Sequence, residues 1–195
     1  MLLSIGFTAS LTAYSDFIHQ DRKGDVMGKN FAKGIGMYFF AEILCLFLAL
    51  TLSALGGTIW RIVSCICTMG IFVCLCINYA YNRAEMDRKI SVPSSIGIRC
   101  FYGGAVTLIP LLLGIVLILA KAGVVPAGYY RWYKLLDAPF LQLCNLCSMD
   151  VTAAALSWGE TIFLAMMNLL PFVTVWVTYT VVRKGVRLEE IQYRK

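Results

Sequence analysis

Four stretches of the chain are apolar for long enough to cross a bilayer: 37–55, 62–80, 100–120 and 161–182. A hydrocarbon layer about 30 Å thick needs roughly 20 such residues at 1.5 Å of helical rise each. Glu42 is the one charged residue in the first stretch, and the other three carry none. Runs of this length predict helices; a membrane barrel would show alternating strands of about ten residues. The expected fold is all-α, a polytopic integral membrane protein with four transmembrane helices arranged as a four-helix bundle. An N-terminal interfacial amphipathic helix and a short helix in the outer loop complete it.

The link from Ser53 to Arg61 contains Gly56-Gly57, so the first two helices form an antiparallel hairpin. Pro110 and Pro171 each remove a backbone donor inside a predicted span and are expected to bend it. Before the first span, Leu3, Phe7, Leu11, Tyr14 and Ile18 recur at helical steps, beside a polar stripe of Ser4, Thr8, Thr12, Ser15 and His19. That pattern predicts a helix lying in the membrane interface, with a weak fifth span as the alternative. No positive charge precedes it, so a cleaved leader is not expected.

Composition agrees with the pattern. Of 195 residues 59% are hydrophobic and 14% charged, and mean hydropathy is +0.75. So little charge cannot cover the surface of a soluble domain this small. A soluble enzyme, a disordered chain and a secreted disulfide scaffold are excluded. The net charge of +6 is distributed in a telling way. Arg22, Lys23, Lys29 and Lys33 precede the first span, and Arg83, Arg88, Lys89 and Arg99 join the second to the third. Arg183, Lys184, Arg187, Arg194 and Lys195 follow the fourth, leaving only Arg61, Lys121, Arg131 and Lys134 on the other side. By the positive-inside rule both termini are expected in the cytoplasm of a multi-pass protein of the cell (plasma) membrane. The domain plan is then a cytoplasmic or interfacial segment 1–36, a transmembrane domain 37–182 with an outer loop 122–159, and a basic tail 183–195. Juxtamembrane lysines and arginines suit anionic lipid, and no segment is long enough to build a nucleic-acid surface.

The outer loop holds the remaining candidates. Tyr129, Tyr130, Trp132, Tyr133 and Trp158 predict an aromatic belt at headgroup level. Asp137-Ala138-Pro139 introduces a short helix from Phe140 to Met149, with Asp137 near its N-cap and Phe140, Leu143, Cys144 and Cys147 on one face. Cys144-Asn145-Leu146-Cys147 is a C-x-x-C pair, the one motif able to exchange thiols and disulfides. Four spans with such a pair outside resemble the quinone-linked thiol oxidoreductases of the bacterial and vitamin-K type. That family relays electrons through a second pair on the same side, and the Ser53–Arg61 link has no cysteine. His19 is the only histidine and the C-x-x-C lacks two further ligands, so no metal site is expected. No cofactor is expected either, since no Gly-rich phosphate loop is present.

Polar groups within apolar spans are functional candidates by default. These are Glu42, read as reaching headgroup water from near the cytoplasmic end of its span; Asn168, read as an interhelical hydrogen-bonding group; and Glu160, at the outer start of span four. No proton relay or charged pathway is expected from so few. The functional expectation is a non-enzymatic accessory, assembly or transport-related membrane subunit. Its partners would be the lipid bilayer and other membrane subunits or further copies of itself. The alternatives are a transporter or channel component acting as an oligomer, and a thiol oxidoreductase using Cys144 and Cys147.

Overall fold

The computed structural model describes residues 2–90, 93 and 95–185, with side chains described from residue 28 onward. Helix α1 is Leu2–Ser53, α2 Thr58–Lys89, α3 Ile96–Lys121, α4 Tyr129–Leu136, α5 Leu141–Cys147, α6 Trp158–Met167 and α7 Leu170–Arg183. Single 3-10 turns occupy Ala138–Phe140 and Ala153–Ala155, and no strand occurs among the described residues. Four helical sections are long and apolar enough to cross a membrane: Gly28–Ser53, Thr58–Lys89, Ile96–Lys121 and Trp158–Arg183.

These sections run beyond the apolar stretches read from sequence, chiefly at the ends bearing lysine and arginine. Hydropathy marks where water ends, whereas a helix continues until its backbone meets a breaker. Residues 81–89, expected in a link, are therefore the last turns of α2. Helix α1 runs without a break from Leu2 through residue 37. The side-chain pattern of the expected interfacial helix lies outside the residues whose side chains are described.

Between α1 and α2, Gly56 and Gly57 take φ of 71° and 82°, a conformation glycine adopts without steric cost. Helices α1, α2, α7 and α3 then close a ring in that order, each packing on the next. Pro110 is accommodated within α3 without ending it. The fourth apolar section breaks at Asn168–Leu169, and α7 starts with Pro171 in its first turn, where its missing N–H costs nothing. Above this break α6 packs on α3, while α7 below it packs on both α2 and α3. The room left beside α2 is filled by the α4–α5 hairpin, which dips into the bundle and returns.

Two buried cores result. One joins Tyr38, Phe72, Tyr102, Phe140, Val175 and Tyr179; the other, nearer the Gly56-Gly57 end, joins Leu117, Tyr130, Tyr133, Cys144, Leu156 and Leu164. The outward faces of the long helices are apolar as well: Ile43 and Phe47 are each 70% exposed.

Candidate functional site

The hairpin tip brings the site together. Helix α4 descends for eight residues, about 12 Å, to Asp137 and the turn Ala138–Phe140. Backbone turned away from helix inside an apolar bundle needs partners for every exposed N–H and C=O. They come from neighbouring side chains. Glu42 Oε1 accepts from the Ala138 N–H at 2.8 Å, and the Tyr38 hydroxyl donates to the Leu136 carbonyl at 3.1 Å. Thr68 Oγ1 donates to the Pro139 carbonyl at 3.2 Å. Higher up, Gln142 Nε2 donates to Ser53 Oγ at 2.6 Å. Phe140 fills the space below, edge-on to Phe72 with centroids 5.9 Å apart.

A second chain of bonds ties the hairpin to the broken helix. Asn168 Nδ2 donates to the Pro110 carbonyl at 2.8 Å and to the Tyr133 hydroxyl at 3.2 Å. That approach depends on Gly114, where an added Cβ would stand 2.8 Å from Asn168 Nδ2. Between α3 and α6 an apolar groove of about 210 Å³, lined by Leu111, Gly114, Ile118, Ile162 and Met166, adjoins Asn168.

These groups lie at one level. Glu42 is eleven residues from Ser53 at the end of α1, and Pro110 eleven from Lys121 at the end of α3. Thr68 is ten from Thr58 at the start of α2, and Asn168 ten from Trp158 at the start of α6. At 1.5 Å per residue each sits about 15 Å inside the bundle. Four separate helices and the hairpin tip therefore contribute to one polar layer. This corrects one expectation: Glu42 is near the middle of its apolar section, facing the hairpin.

Two carboxylates in the layer have oxygens with no hydrogen bond. Asp137 is fully buried, and neither of its carboxylate oxygens has a hydrogen-bond partner among the described residues; Glu42 Oε2 is likewise buried and unmatched. Asp137 does not cap the turn that follows it. Burial raises its carboxyl from the ordinary 3.8 to about 7. Sequence reading placed Asp137 near the N-cap of the following short helix because it sits between apolar stretches in a presumed loop. The overlooked signal was a charge flanked by Leu135-Leu136 and Ala138-Pro139-Phe140.

The other predicted residues are dispersed. Tyr130 and Tyr133 are wholly buried and cannot belong to an interfacial belt: α4 folds inward, and Tyr130 donates to the Cys144 carbonyl at 3.2 Å. Trp132 and Trp158 remain exposed, and Tyr129 is half-buried. Glu160 closes a capping box with Ser157 at the start of α6, its Oε2 accepting from the Ser157 N–H at 2.7 Å. Lys134 is buried under the loop, donating to the Ser148 and Asp150 carbonyls at 2.7 and 2.9 Å. Burial pushes the Cys144 and Cys147 thiols up, opposite to the lowered pKa of reactive cysteines.

At the far end of the bundle lies another buried acid, Asp87. Its Oδ1 accepts from Tyr102 at 3.2 Å and its Oδ2 from Tyr179 at 2.7 Å. Arg83, one turn away on α2, donates to Asn30 Oδ1, and Tyr79 donates to the Asn30 carbonyl. This network joins α1, α2, α3 and α7.

Compared with protein-family models, curated proteins and solved structures, the chain matches none.

Proposed function

We propose that the chain is a multi-pass protein of the plasma membrane with both termini cytoplasmic. The α4–α5 hairpin then enters from the outer side as a re-entrant loop and builds a polar site at mid-bilayer. The protein serves as a non-enzymatic, transport-related subunit. Three features support insertion: four long apolar helices, apolar residues on their outward faces, and thirteen of the seventeen lysines and arginines toward one side. A depth of about 15 Å is half the thickness of a 30 Å hydrocarbon core.

The transport-related reading rests on the common level of Glu42, Thr68, Pro110, Asp137 and Asn168. Irregular backbone is tolerated at that depth only where protein or a hydrated cavity covers it, and broken helices meeting at the midplane characterise transporter sites. An accessory role within a larger assembly is the second reading. It is favoured because Asn168, Tyr133 and Pro110 bond to one another rather than facing an open path. The raised thiols of Cys144 and Cys147 lend no support to thiol–disulfide catalysis.

Impermeant maleimide on intact cells should label a cysteine introduced at Gly128 and spare one at Gln192. The reverse pattern overturns the orientation. Purified protein in vesicles should move protons or a small solute down an imposed gradient. No flux across a broad panel, together with a partner that co-purifies in fixed ratio, decides for the accessory reading.

A further inference from the structure

We infer that Glu42 and Asp137 form one proton-binding site, in which the two carboxylates hold a single proton between them. This deepens the transport-related reading and rests on it for its role, but its geometry stands independently of any flux. The two residues are brought close where Glu42 Oε1 accepts from the N–H of Ala138, the residue next to Asp137, and the Asp137 charge acts on Glu42. Their remaining oxygens, Glu42 Oε2 and both oxygens of Asp137, are buried and without partners among the described residues.

Among the described residues no cation acts on them. From α1 the site faces Glu42, Tyr38 and Cys45; from α4, Tyr129 and Tyr133; from α5, Cys144. Helix α2 contributes Thr68 and Phe72 beneath the turn. Lys134, on the same helix as Tyr133, directs its ammonium away to the Ser148 and Asp150 carbonyls. Tyr38 donates to the Leu136 carbonyl with its hydroxyl beside Glu42, and Thr68 donates to the Pro139 carbonyl. Two adjacent charges in so dry a place repel, and proton uptake by one relieves both desolvation and repulsion.

Each acid has one donor beside it: Glu42 Oε1 receives the Ala138 N–H, and the Tyr133 hydroxyl stands by Asp137. The remaining oxygens compete for one proton, so the pair, rather than either acid alone, sets the titration. Uptake adds one proton and one positive charge to the site, breaks no covalent bond and needs no co-reactant. Three neighbouring His, Cys, Asp or Glu ligands for a metal do not occur among the described residues.

The test is infrared difference spectroscopy of the purified full chain in nanodiscs, titrated from acid to alkaline pH. The wild type should show one protonated carboxyl at neutral pH, shifted by ¹³C labelling of aspartate or of glutamate. Removing either charge, by Asp137→Asn or by Glu42→Gln, should lower the midpoint of the acid that remains by about one pH unit or more. A spectrum in which neither label moves an acid band at neutral pH overturns the proposal without reliance on any variant. So does a midpoint unchanged in both variants, or a band governed by sodium concentration at constant pH. A correct titration with no flux keeps the proton site and removes its transport role; flux with no such band does the reverse.

Discussion

Asp87 and Asp137 are both buried aspartates in the same small bundle, yet their surroundings are opposite. Tyr102 and Tyr179 supply one hydroxyl to each oxygen of Asp87, from α3 and α7. Asp137, at the tip of the hairpin, receives none among the described residues. The first carboxylate organises its neighbours, holding three helices at one end of the ring. The second is organised by them: the turn Ala138–Phe140 is fixed by Tyr38, Glu42 and Thr68 whatever the state of the aspartate. A buried charge with donors is a structural tie; one without donors is a protonation site. Residue type and burial alone do not separate the two roles, and only the donor inventory does.

The contrast is open to attack by substitution. Asp87→Leu should cost the most, roughly 3–6 kcal/mol, because two hydroxyls lose hydrogen bonds to a charged acceptor at about 1.5–3 kcal/mol each. Thermal unfolding in detergent reads this, and a variant as stable as wild type would show that Asp87 ties nothing.

Asp137→Asn should behave in the opposite sense. The folded-state carboxyl titrates near 7 against 3.8 unfolded, so between these values the folded chain keeps a proton that the unfolded chain has lost. Stability therefore falls as pH rises through that window, by at most about 4 kcal/mol at 1.36 kcal/mol per unit. The variant should lose this slope, matching wild type near pH 4 and exceeding it near pH 8. A slope that survives in Asp137→Asn would assign it to another group.

Gly114→Val probes the arm between the two regions. Its side chain meets Asn168 Nδ2, and overpacking should cost about 1–3 kcal/mol while leaving the Asp137 titration in place. If the infrared band shifts as well, Asn168 and Tyr133 belong to the proton site.

Much of the architecture was legible before any coordinates. Four apolar lengths, the Gly56-Gly57 turn and the charge-free third and fourth stretches follow from composition along the chain, because backbone hydrogen bonding in an apolar setting leaves helix as the local answer. Glu42 and Asn168 also stood out as polar residues within apolar runs. Asp137 did not, since its meaning depends on Glu42, whose bond to the adjacent Ala138 spans 96 positions. Tyr130 and Tyr133 misled for a related reason: an aromatic cluster beside a span reads as a belt until α4 is known to turn inward.

What the sequence determined by itself was local: which segments become apolar helices, and where glycine and proline permit a turn or a break. What only the tertiary structure decided was depth and partnership. The break at Asn168–Leu169 moves α6 off α2, the α4–α5 hairpin fills that space, and Asp137 arrives near Glu42 with neither carboxylate oxygen completing a hydrogen bond. Helix formation is set by residues a few positions apart, whereas the surroundings of a buried charge are set by whichever distant segments pack around it.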